Sequence, residues 1–161
     1  MDTAPVELWL RGGGPDAPPA ECLLGVPLLR APGQVGLFKL VTSSVWTPLT
    51  WGDVVNVIEA DDESAIVSLA TSGPCTRTTI TYDPSLPRLR ARAIAHEWGG
   101  RGAEAVESLP GLFVVAWGTD VSVAQIREAL DATTDGMRGW SVVEWWEPSE
   151  RTPEALSGYL E

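Results

Sequence analysis

From Thr76 onward the chain switches between two hydrophobic periods in an order that few architectures accommodate. "TRTTITY" is rich in β-branched residues and reads as a strand. "DPSLPRLRARAIAHEWGG" opens on capping residues and closes on paired glycines, which predicts a helix from about Ser85 to Trp98. "AEAVESLP" and "GLFVVAWG" are two strands around Pro110-Gly111. "SVAQIREALDATTDG" is the clearest element: Ser122 and Gln125 make a capping box, Val123, Ile126 and Leu130 share a face, and Gly136 ends the helix. "WSVVEWWE" supplies a last strand. The order is β-α-β-β-α-β, the ferredoxin-like split βαβ arrangement, in which two helices cover one face of a four-stranded antiparallel sheet.

The first seventy residues follow a different rule, short strands joined by tight polar turns. "VELWLR" alternates loosely and stops at Gly12-Gly13-Gly14-Pro15, and "DAPPA" is a loop by its prolines. "ECLLGVPLLR" carries Gly25 and Pro27 and reads as a weak or edge strand. "QVGLFKLV" is a better strand. Strands Asp53 to Glu59 and Ala65 to Ala70 flank a turn at Asp61-Asp62. The expected class is therefore α+β. A small curled antiparallel sheet or partial barrel spans 1–72, a ferredoxin-like subdomain spans 73–148, and an acidic tail with Pro153 spans 149–161.

No apolar run is long enough to cross a bilayer, and the N-terminus lacks a basic stretch followed by an apolar block. Cys22 and Cys75 have neither metal nor disulfide-framework spacing, so the expectation is a cytoplasmic protein without metal or other cofactor. The charge narrows the partners further. A net −11 argues against nonspecific nucleic acid and anionic membrane. Between Ser64 and His96, four arginines against Asp83 leave +3, so the remainder carries −14. Eight tryptophans accompany a single lysine, Lys39; several of them should be core, and the others are interface candidates.

The short motifs "FKL" at Phe38, "WGDVV" at Trp51, "SGPCTR" at Ser72 and "WSVVE" at Trp140 together resemble a bacterial family, number 4265 in the domain-of-unknown-function series. The likeness covers roughly residues 35–147 and implies a compact bacterial cytoplasmic domain, with no activity to carry over.

Four constellations bear on chemistry. Cys75 in "SGPCTR" is a nucleophile only if a base and a positive field lower its pKa; the plainer account is a small buried hydrophobe at a strand entry. Asp53 would serve as a general base if buried and free; otherwise it bonds the turn that Gly52 permits. Arg88, Arg92 and His96 stand at i, i+4 and i+8 on one helical stripe, and with Arg77 nearby they suit a phosphate or carboxylate; the alternative is a solvated face. In "GWSVVEWWEPSE", strict alternation sends Trp140, Val142, Glu144 and Trp146 one way and Trp145 the other. Trp140, Glu144, Trp145, Trp146 and Glu147 would then give a basic protein partner aromatic anchors and steering carboxylates.

These features support a non-catalytic acidic binding protein, with an immunity-type inhibitor of a basic toxin as the sharpest version. The enzyme alternative holds an anionic small molecule between the subdomains by Arg77, Arg88 and Arg92, with acid–base work by His96 or Asp53. A self-associating domain, a homodimer, is the third reading.

Overall fold

The computed structural model describes residues 4–11, 20–30, 35–60, 62–134 and 139–160. The Gly12–Pro15 stop, the proline-rich stretch after it, Asp61 and the Gly136 helix end lie outside the described residues. In β1 (Val6–Arg11), alternation turns Leu8 and Leu10 inward and leaves Glu7 and Arg11 in solvent. β2 (Ala20–Leu29), β3 (Val35–Leu40), β4 (Val54–Ala60) and β5 (Glu63–Thr71) follow, each antiparallel to the strand before it. Trp9 of β1 pairs in parallel with Ala65 of β5 and closes a five-stranded barrel.

Closure requires strong coiling, and the register shifts supply it. One lies between Pro27 and Leu29 of β2, and two more lie in the β4–β5 pairing. Gly25 and Pro27 therefore do not make β2 an edge; it pairs with β1 on one side and β3 on the other. A Cβ at Gly25 would sit 2.5 Å from Leu8 Cδ1, so glycine here makes room for the core. That core contains Leu8, Leu10, Leu23, Phe38, Leu40, Val55, Val57, Ile66 and Leu69, with Leu49 from the β3–β4 connection.

The second sheet holds β6 (Thr76–Thr81), β7 (Ala103–Leu109), β8 (Leu112–Trp117) and β9 (Ser141–Trp146) in the order β7-β8-β6-β9, every pair antiparallel. Helix α1 (Arg88–Gly100) buries Ala91, Ile94 and Trp98 along one stripe, and α2 (Val123–Thr134) buries Ile126, Ala129 and Leu130. Both stripes pack on Ile80, Phe113, Val115 and Trp117. Trp98 meets Phe113 edge-on at 4.9 Å, and its indole N–H donates to Thr133 Oγ1 at 2.7 Å. The α2 capping box is present: Gln125 N–H donates to Ser122 Oγ, and Ser122 N–H donates to Gln125 Oε1.

The stretch read as an acidic tail is structured. A 3₁₀ turn (Pro148–Glu150) leads to α3 (Pro153–Leu160), which packs on β5 and places Leu156 in the barrel core. The chain is thus a mixed α+β fold with a closed five-stranded barrel, a second sheet and three helices. Among the described residues, no helix is long and apolar enough to cross a membrane.

Candidate functional site

The face of the second sheet turned away from α1 and α2 carries a cross-strand row, Glu107–Val114–Thr79–Glu144, with Arg77 one step along β6. The 41–53 segment from the barrel lies over it. Arg77 is buried, donating from Nε to Glu144 Oε1 at 2.8 Å and from Nη1 to the Leu49 carbonyl at 2.9 Å. Burial pushes the Glu144 carboxyl up, but the Arg77 charge and hydrogen bonds from Arg77, Thr79 and Trp146 outweigh it and hold the group below its ordinary range. Burial likewise lowers the Arg77 pKa, against the pull of Glu144. Glu144 is therefore the counter-ion of buried Arg77, with 31% of its own side chain still exposed.

Asp53 and Arg151 form a second buried pair, both fully inaccessible. Gly52, at φ +89°, turns the chain so that Asp53 Oδ2 accepts the Thr50 N–H, while Oδ1 accepts the Gly73 N–H and Arg151 Nη1. A Cβ on Gly73 would lie 2.6 Å from the Gly52 carbonyl, so these two turns touch backbone to backbone. Asp53 has no free oxygen for general-base work. Cys75, next in line, is buried, and burial above all, then Glu104, pushes its thiol up to about 11. It is a protonated core residue at neutral pH.

The arginine stripe does not converge with Arg77. Arg88, Arg92 and His96 are exposed on α1, whereas Arg77 lies on the opposite face of the sheet. Among the described residues, no three His, Cys, Asp or Glu side chains form a metal-binding group.

Strict alternation also fails in β9, for a local reason. Thr79 pairs with Glu144 but Ile80 pairs with Val142, so Val143 is bulged out of the ladder. The bulge moves Trp145 onto the helix side with Val142, and leaves Glu144 on the barrel side. Trp140, Val142 and Trp145 then face Arg127, Leu130 and Asp131 of α2 across an open groove of about 340 Å³. The Arg127 guanidinium lies 5.7 Å from the Trp145 ring. The indole N–H of Trp140 is buried in this wall without an acceptor among the described residues. Among the described residues, no strand pairs with the outer edge of β9, where Val143 is 57% exposed.

Trp146 is drawn away from the groove and packs edge-on against Tyr159 of α3 at 6.5 Å. Glu147 is engaged in a reciprocal capping box with Glu150. Of the five residues expected at a partner site, the groove holds Trp140 and Trp145. The α2 contributors were missed, although Arg127, Leu130 and Asp131 at i, i+3 and i+4 share a helix face.

Glu107 gives the seam a pH signature. Burial first, then the Glu21 charge, raises its pKa, opposed by the Ser43 N–H at 3.0 Å and by Arg77. A raised folded-state pKa means that this carboxyl favours the fold when protonated. Its contribution is full below the unfolded value of about 4.5 and is lost as pH rises through the folded value. Glu107→Gln keeps an oxygen for Ser43 and removes the charge. It is expected to melt about 1–3 °C above wild type at pH 7, a small effect because the group is partly solvated. The advantage should vanish below pH of about 4, and thermal melts across pH check it.

With two sheets, two cores and this groove in place, the chain belongs by architecture among mixed α+β proteins that pair a closed barrel with a helix-backed sheet. A hypothetical protein from Neisseria gonorrhoeae, known from a crystal structure, shares the arrangement. Its sequence is 14% identical, the TM-score is 0.54, and the alignment covers 92% of this chain and 95% of that one. At that identity the likeness is one of fold. No protein-family model and no curated protein matches the chain.

Proposed function

We propose that the chain is a non-catalytic binding protein of the bacterial cytoplasm that docks or sequesters a basic protein partner. An immunity-type inhibitor of a basic toxin is its sharpest form. The groove between α2 and β9 receives an extended segment of that partner along the open strand edge. The observation that carries the reading is the juxtaposition of an unpaired edge strand with two tryptophan rings. A carbonyl of the incoming segment would also answer the orphaned Trp140 N–H. The net −11 charge supports fast capture of a cationic surface. The enzyme alternative loses its anion clamp, since Arg77 is bound to Glu144 and lies across the sheet from Arg88 and Arg92. Strand order β7-β8-β6-β9 with both helices on one side supports grouping the second unit with ferredoxin-like βαββαβ folds. The motif likeness to family 4265 belongs to the same proposal and adds no activity.

The test is affinity capture from bacterial lysate followed by calorimetry of each variant against the captured protein. Trp145→Ala is expected to weaken binding at least about 30-fold, the cost of a central aromatic anchor. His96→Ala should bind as wild type does. A small anionic metabolite as the ligand, or loss on His96→Ala with Trp145→Ala unaffected, would refute the reading.

A further inference from the structure

The open edge of β9 has two sides, and the groove occupies only one of them. Past the Val143 bulge, Trp145 turns to the helices, while its neighbours Glu144 and Trp146 turn to the barrel side with Arg77. There they form a continuous cluster with α3. The Trp146 indole hydrogen-bonds the Glu144 carboxyl, and its ring meets Tyr159 edge-on at 6.5 Å. The cluster reaches solvent, since Tyr159 is 36% exposed and the Glu144 side chain 31%. Arg77 balances Glu144, but Glu147 and Glu150 follow without an ion pair among the described residues, so this end of the strand stays net acidic. Two other tryptophans already carry a cation, Lys39 at 5.3 Å from the Trp51 ring and Arg127 at Trp145. Among the described residues no cation lies over Trp146.

We infer that this cluster seats a cationic side chain of the docked segment, an arginine above all. The inference rests on the reading of the groove and deepens it. A strand laid along β9 sends successive side chains to opposite faces. The residue beside Trp145 fills the groove and is apolar, and its neighbours point to Glu144, Trp146 and Tyr159. An arginine there gains both ring surface and carboxylate charge. A slip of one residue would carry it into the groove, where Arg127 already sits on Trp145 and offsets Asp131. The partner segment therefore alternates apolar and basic residues, and α3 belongs to its binding site through Tyr159.

Two capped peptides test this on the full chain: alternating Val-Arg-Val-Arg-Val-Arg-Val, and the same sequence with citrulline, which keeps the shape of arginine without its charge. Calorimetry is run in about 0.3 M salt, where long-range attraction to the −11 chain is screened. The arginine peptide should bind about tenfold more tightly. Tyr159→Leu should erase that difference and leave the citrulline peptide's affinity unchanged, whereas Tyr159→Phe, which keeps the ring, preserves it. Trp145→Ala should weaken both peptides alike. Equal affinity of the two peptides for the unaltered chain, absence of binding by both included, would overturn the inference. So would a tenfold gap that survives in a folded Tyr159→Leu variant. Either failure leaves the groove reading in place so long as Trp145→Ala weakens what binds; a Trp145→Ala variant that binds both peptides as wild type does would overturn the two together.

Discussion

Arg151→Met is expected to lower stability by about 3–5 kcal/mol, a drop of roughly 6–20 °C in Tm for a chain of this size. The guanidinium stands where three segments meet. It pairs with Asp53 before β4 and donates to the carbonyls of Cys75 at 2.6 Å and Gly73 at 3.4 Å in the β5–β6 linker, while its own backbone leads into α3. Methionine fills the volume but leaves a fully buried carboxylate with only the Thr50 and Gly73 N–H groups as partners. Two carbonyls lose their donor as well. The double variant Asp53→Asn/Arg151→Met removes both charges, so it should recover part of the loss, with a coupling above about 1 kcal/mol in urea melts. Single-variant melting within 2 °C of wild type would mean that the pair is hydrated, contrary to its burial.

What could be read in the sequence was what depends on neighbours along the chain. Ser122 and Gln125 announce α2 because both halves of a capping box lie within four residues, and Pro110-Gly111 marks the β7–β8 turn in the same way. Closure of the barrel rests on Trp9 meeting Ala65, which no local pattern encodes. The groove was half legible. Trp140 and Trp145 stand out by composition, yet their common face depends on the bulge at Val143, and a bulge changes register without any residue type that demands it. Arg77 misled because arginine reads as surface, while here Glu144 and the Leu49 carbonyl, both distant in sequence, make its burial tolerable.

The C-terminal segment had a signal that net charge obscured, and it yields the second large prediction. Thr152-Pro153-Glu154 is a helix start: Thr152 Oγ1 accepts the Ala155 N–H at 3.1 Å, and Pro153 opens the first turn. Leu156 and Leu160, four residues apart, then face the barrel, Leu156 fully buried in its core and Leu160 packed against it. Leu156→Ala is expected to cost about 2–5 kcal/mol, because the barrel walls are held by their ladders and cannot collapse into the space. Gly158 sits in the same helix with nothing within 4 Å of where a Cβ would lie, so Gly158→Ala should stabilise by about 0.5–1 kcal/mol. Opposite signs two residues apart are the diagnostic result in denaturant melts. A docked helix requires both, whereas a solvated acidic tail would leave the midpoint unmoved by either substitution.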